Sequence, residues 1–141
     1  MSNSSNNPVE EVLVGFDPGR DKCGLAVMGN QGTLYRHEVV TSSEAIATLN
    51  RIMETFPVQH LVLGDQTTSQ QWKEKLQQKL SPLPCIHLVD ERYSTLEARD
   101  RYWKLYPPKG LQHLIPKQLR TIPRPVDDVV AMILIERYLA V

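Results

Sequence analysis

Asp17, Asp65, Glu91 and Asp127 lie far apart in the chain, yet each sits at the edge of an apolar segment. Asp17 ends Val12-Leu13-Val14-Gly15-Phe16, and Asp65 ends His60-Leu61-Val62-Leu63-Gly64. Glu91 follows Cys85-Ile86-His87-Leu88-Val89 with Asp90 between, and Asp127 opens the last apolar stretch beside Asp128. Carboxylates a few ångströms apart repel and raise one another's pKa. Hard divalent cations such as Mg²⁺ relieve that repulsion and take oxygen ligands. Brought together, these acids suit metal-dependent hydrolysis of phosphodiesters. Taken singly, each has a structural use as well. Asp17 precedes Pro18-Gly19 and can close a turn. Asp90 or Glu91 can pair with Arg92, and Asp127 and Asp128 are favoured by a helix dipole.

The elements that must position these acids are readable from pattern. Val12–Asp17, Cys23–Met28 and Thr33–Val40 read as three strands joined by short Gly-rich turns, hence as antiparallel hairpins. Thr41 with Glu44, and later Ser94 with Glu97, have capping-box spacing at the starts of two helices. Ala45, Ile46, Leu49, Ile52 and Met53 form the apolar stripe of the first. The strand His60–Gly64, a polar helix over about 69–80 with Thr67, Thr68 and Ser69 at its start, and the strand Cys85–Val89 follow. A helix over about 94–106 stops at Pro107-Pro108. The last helix begins at or just after Pro125. This order predicts an α/β fold with a mixed five-stranded sheet, three antiparallel strands plus two parallel, flanked by helices. Ligands of open α/β sheets bind beyond the carboxyl ends of the strands, and Asp17, Asp65 and Asp90-Glu91 fall there.

At 141 residues the chain predicts a single domain over 9–141, preceded by a Ser- and Asn-rich tail over 1–8 expected to be disordered. That tail has no apolar core and is no signal peptide. No run of 18 apolar residues occurs, so no membrane span is expected. Cys23 and Cys85 each lie in an apolar run and are expected to be small buried hydrophobes without a disulfide, in a cytoplasmic protein. His37, His60, His87 and His113 show no metal-ligand spacing.

Net charge is zero, but it is unevenly placed: residues 1–98 carry −4, residues 99–124 carry +6 and residues 125–141 carry −2. The basic segment holds Arg99, Arg101, Lys104, Lys109, Lys117, Arg120 and Arg124 against Asp100. With Arg92 they are candidate contacts to a nucleic-acid backbone; the alternative is a solvated helix face and loop. Residues 107–125, with five prolines and four basic residues, predict a mobile basic loop. Tyr93, Tyr102, Trp103 and Tyr106 are interleaved with these cations and could stack on unpaired bases or pack as half-buried core.

Three segments carry a resemblance. Gly15-Phe16-Asp17-Pro18-Gly19 with Gly24-Leu25-Ala26-Val27, Val89-Asp90-Glu91-Arg92-Tyr93-Ser94-Thr95-Leu96-Glu97-Ala98, and Val126-Asp127 through Ile135-Glu136-Arg137-Tyr138-Leu139 resemble the YqgF/RuvX family. Its members are described as Holliday-junction-resolvase-like proteins or nucleases of pre-16S rRNA. The resemblance implies an RNase H-like fold and places Asp17, Glu91 and Asp127 at the family's acidic positions, leaving Asp90 and Arg92 as scaffold; Asp128 could be a second ligand or, favoured by the helix dipole, a plain first-turn acid. Gly64-Asp65-Gln66 stands where members usually carry Gly-Leu-Pro. That acid, with Asp-Pro-Gly in the first motif, is similar to RuvC resolvases and implies a divergent branch.

The expected chemistry is hydrolysis assisted by two Mg²⁺ or Mn²⁺ ions about 4 Å apart, held by Asp17, Glu91, Asp127 and Asp65. Branched DNA and precursor rRNA are the substrates in view, with a monomer or, for junction resolution, a C₂ homodimer. The alternative is a non-catalytic nucleic-acid-binding module on the same fold.

Overall fold

A computed structural model describes residues 10–66 and 68–140. The tail expected over 1–8, and Thr67 in the second helix start, lie outside the described residues. The strands are β1 (Val12–Asp17), β2 (Lys22–Gly29), β3 (Leu34–Thr41), β4 (Val58–Gly64) and β5 (Cys85–Val89). The helices are α1 (Ala45–Thr55), α2 (Ser69–Lys79), α3 (Ser94–Leu105) and α4 (Asp127–Ala140). The sheet order is β3-β2-β1-β4-β5. β1, β2 and β3 pair antiparallel, while β4 and β5 extend the sheet in parallel from β1. The expected α/β sheet is the observed one.

Successive side chains of a strand point to opposite faces, and both faces of this sheet are covered. Val12, Val14 and Phe16 pack with Leu61 and Leu63 against Ala45, Leu49, Ile52 and Met53 of α1 and Leu76 of α2. Leu13, Ala26, Met28 and Val62 pack on the other face against α4 and Ala98 of α3. Every residue from Val129 to Ile135 is buried. A helix apolar all round is one enclosed on all sides, and α4 lies between the sheet and α3. It also approaches the sheet at bare backbone: a Cβ on Gly15 would collide with the Ala131 carbonyl. Alternation along β1 then leaves Asp17 on the α4 face, at the strand's open end.

The expected caps are not formed. A 3-10 turn over Ser42–Glu44 separates Thr41 from α1, and the Thr41 hydroxyl donates to the Glu44 carboxylate at 2.9 Å instead of accepting from the backbone. Ser94 is already the first helical residue of α3. The cap position belongs to Tyr93, held at φ 63°, and Glu97 is drawn to Arg137. Thr68 makes no side-chain cap on α2. Cys23 is buried as expected, but Cys85 is exposed, because β5 is the edge strand and its first residue lies beyond the helices. Residues 107–125 contain two 3-10 turns, Gly110–Leu114 and Lys117–Leu119.

Candidate active site

Asp17 is paired in register with Gly24 of β2, and Phe16 with Leu63 of β4, so Gly64 lies beside Asp17 on its other flank. Both flanking positions lack a side chain on the α4 face. The Asp127 backbone at the start of α4 sits against Gly24, and the Glu91 carboxylate sits over Gly64. Two glycines thus let two acids approach the end of β1 from either side. Asp17 feels both. Burial first, then the charges of Asp127 and Glu91, push its carboxyl up to about 7. Burial also raises Glu91, with Asp65 and Asp90 adding to the shift and Arg137 opposing it. Asp127 is raised by burial and by Asp128, and lowered by Lys22.

The loop carrying Glu91 is tethered from two sides, by Asp65 at the end of β4 and by Arg137 of α4. Its Glu91 N–H donates to the Asp65 carboxylate at 3.3 Å, and the Asp65 N–H donates to the Val89 carbonyl at 2.9 Å. From α4, Arg137 donates to the Asp90 carbonyl at 2.8 Å and pairs with Glu97. Asp65 is therefore at the site's rim, exposed, and bonded to the chain that bears Glu91. Asp90 turns away from the acids to receive the Arg92 backbone and side-chain N–H groups, which hold its carboxyl below the usual range.

Asp128 is neither a plain first-turn acid nor turned towards Asp17. It is 2 % exposed and bound by His37 Nδ1 at 2.6 Å and Arg124 Nη1 at 2.9 Å. Burial pushes its carboxyl up, but Arg124 and His37 outweigh that and hold it below the ordinary range.

The fold divides the candidate nucleic-acid contacts. Arg101 makes two 2.7 Å hydrogen bonds to Glu136, Lys117 and Lys104 pair with Asp100, and Arg124 stacks over Tyr102 and Tyr106. Arg120 lies over Trp103 and donates to the Gln112 and Ile115 carbonyls. Arg92 is exposed beside the acids, and Arg99 and Lys109 are exposed without an ion pair among the described residues. Tyr102 and Trp103 are buried, whereas Tyr93 is 75 % exposed next to Glu91. Lys22 and Arg137 were not singled out by sequence pattern; only strand pairing and the α4 packing bring them to the acids.

The donor set is of the kind hard divalent cations take: the groups nearest Asp17 are carboxylates, and burial together with the charges of Asp127 and Glu91 keeps Asp17 protonated up to near neutrality. Among the described residues, no group of three or more His, Cys, Asp or Glu side chains is placed so that it could hold a metal ion.

A mixed five-stranded sheet of this order, covered by helices on both faces, is an RNase H-like fold. The chain belongs to the RuvX family, described as Holliday junction resolvase, whose model matches residues 11–141. Among solved structures it is similar to a T. thermophilus RuvC in complex with Holliday junction substrate. The identity is 15%, the TM-score 0.55, and the match covers 92% of this chain and 94% of that one. A second Thermus thermophilus RuvC structure gives 16% identity and a TM-score of 0.54, over 92% and 95% of the two chains. No curated protein matches the chain significantly.

Proposed function

We propose that this protein is a metal-dependent endonuclease that hydrolyses nucleic-acid phosphodiester bonds in the cytoplasm, acting on branched DNA or precursor rRNA. The observation that carries it is Asp17, whose carboxyl is raised to about 7 by burial and by Asp127 and Glu91. A chain that brings like charges to one strand end, with two glycines clearing the way, is built for a positive partner there. Asp17, Glu91 and Asp127 would hold Mg²⁺ or Mn²⁺, two ions in the full site, with Asp65 at the rim. Such ions lower the pKa of a bound water and neutralise the scissile phosphate. Arg137 holds the loop of Glu91 against α4, and so keeps that acid at a fixed offset from Asp127. Of the candidate phosphate contacts, Arg99 and Lys109 are exposed without an ion pair among the described residues and Arg92, paired with Asp90, is exposed beside the acids, while Tyr93 presents a ring face for an unpaired base.

The related RuvC was solved with a Holliday junction substrate, which supports nucleic acid as the partner class. Two symmetric cuts in a junction need two sites, hence a C₂ dimer; single cuts in rRNA need only the monomer. The test is a Mn²⁺-supplemented cleavage assay offering synthetic junctions, single-stranded RNA and duplex DNA side by side. Cleavage by the parent and none by Asp17→Asn is the expected result. Nucleic-acid binding with neither cleavage nor carboxylate-dependent Mn²⁺ affinity would replace this reading with the non-catalytic module.

A further inference from the structure

Lys22 opens β2, two residues before Gly24. Residues two apart on a strand share a face, and Gly24 faces the Asp127 backbone. The Lys22 side chain therefore leaves β2 on the α4 face, about 7 Å further along the strand. The helix ends before it: Ala131 lies against Gly15, which pairs with Ala26, and Asp127 lies against Gly24. Lys22 thus stands just beyond the N-terminus of α4, at the rim of the acids. It is exposed, yet its base is fixed. The Pro18 carbonyl accepts from Gln66 Nε2 at 3.2 Å and the Gly19 carbonyl from the Ser42 hydroxyl at 2.9 Å. The Asp21 carbonyl accepts from the Ser42 N–H at 2.9 Å. The turn that carries Lys22 is tied to the chain after β3 and after β4.

Other cations bordering the acids are already engaged. Arg137 is held by the Asp90 carbonyl and Glu97, Arg92 by Asp90, and Arg124 by Asp128. Lys22 makes no ion pair among the described residues. Its charge nevertheless reaches the Asp127 carboxyl and opposes the upward push of burial there. The ammonium is near enough to be felt by Asp127 and does not close on it. We infer that Lys22 is a further catalytic residue of the proposed cleavage, its ammonium donating to a non-bridging oxygen of the scissile phosphate from the Asp127 side. This rests on the nuclease reading and adds to it a residue that binds substrate rather than metal.

In the hydrolysis a water oxygen bonds to phosphorus, the ester oxygen opposite it leaves, and the water's proton ends on that leaving oxygen. Negative charge gathers on the non-bridging oxygens on the way. Lys22 exchanges no proton in this step; it remains an ammonium and offsets that charge. Standing off matters, because a lysine closed onto Asp127 would neutralise an acid that the cations need. A fixed turn also matters, because a donor already in place costs no reorganisation at the moment of reaction. The plain alternative is a solvated surface lysine, which would add only to affinity for a phosphate backbone.

The test is single-turnover cleavage with Mn²⁺ at saturating protein, where a loss of affinity alone has no effect, together with Mn²⁺ titration calorimetry of the full chain. Lys22→Ala and Lys22→Gln should each slow cleavage about 100-fold. Lys22→Arg, which keeps the charge, should return to within about 10-fold of the parent. Arg20→Ala, on the same turn, should cleave at the parental rate. The Ala and Gln variants should bind Mn²⁺ at least as tightly as the parent, since a positive charge near Asp127 is gone. Parental cleavage by both of them, no recovery with arginine, or equal slowing in Arg20→Ala would overturn the assignment. So would slowing accompanied by lost Mn²⁺ binding, which would mean a disturbed acidic site. A parent that cleaves nothing ends the nuclease reading and the role of Lys22 with it, whereas a cleaving parent with indifferent Lys22 variants ends only the latter.

Discussion

The carboxylate of Glu91 fills the space above Gly64 that any other residue's side chain would need: a Cβ there would collide with Oε2 and lie 3.0 Å from Cδ. What it would meet is the end of a flexible side chain. Gly64→Ala should therefore cost the fold only about 1 kcal/mol, the low end for overpacking, because Glu91 can swing aside. Cleavage should suffer far more, falling about 100-fold for a ligand moved by about 1 Å. Gly15→Ala is the contrast. Its Cβ would strike the Ala131 carbonyl of α4, which cannot turn away, so stability should fall by about 3 kcal/mol. Urea unfolding and single-turnover cleavage of the two variants separate these effects. Parental cleavage by Gly64→Ala would remove Glu91 from the site.

Asp17 links pH to stability. Its carboxyl ionises near 7 in the folded chain and at the ordinary 3.8 when unfolded. Between those values the folded chain binds more protons, so stability falls as pH rises through that window. Asp17→Asn removes this effect. The variant should match the parent below about pH 4 and exceed it by roughly 1–2 kcal/mol at pH 8, after discounting for solvent screening. Mn²⁺ should stabilise the parent at pH 8 and the variant much less. Thermal melts at pH 4 and 8, with and without Mn²⁺, check both. A parent more stable at pH 8 than its Asn variant without metal would show that the acids do not crowd Asp17.

The sheet was legible because each strand is a short apolar run closed by a glycine or proline turn, and hairpin spacing leaves little choice of pairing. Acids at strand ends follow from that topology. The contacts between distant residues were not legible. Arg101 finds Glu136 on another helix, Lys22 reaches Asp127 through the β1–β2 hairpin, and His60 meets His87 only through the parallel register of β4 and β5. The capping-box spacings misled because a 3-10 turn and the left-handed Tyr93 displace the helix starts. Cys85 misled because an apolar run on an edge strand is covered only where a helix crosses it.

Behind the site, Asp128 is a buried ion held by two half-buried partners, His37 and Arg124. Removing Arg124 by Arg124→Ala leaves the acid with His37 alone, and should destabilise by about 3 kcal/mol, the low end for breaking a buried pair. Asp128 ionises below its ordinary range, so its contribution is present above pH 3.8 and lost as pH falls through the lowered value. The penalty of Arg124→Ala, measured by urea unfolding, should accordingly shrink towards pH 3. A penalty that stays constant from pH 7 to pH 3 would mean that Arg124 acts through its stacking on Tyr102 and Tyr106 instead.

Cations left without an ion pair among the described residues should behave differently from those the fold uses. Arg99 and Lys109 are exposed, and a phosphate contact by either contributes about one to the slope of log affinity against log salt. Arg99→Ala and Lys109→Ala should each reduce that slope by about one, weaken binding to every nucleic acid alike, and leave the melting temperature unchanged. Arg101→Ala should do the reverse. Its guanidinium is tied to both oxygens of Glu136, joining α3 to α4, so its loss should lower thermal stability while the salt slope stays near the parent value. Fluorescence anisotropy at several salt concentrations, paired with thermal melts, reads both quantities. A full unit lost from the slope in Arg101→Ala would mean that the pair opens to grip the backbone, and that nucleic acid competes with Glu136 for this arginine.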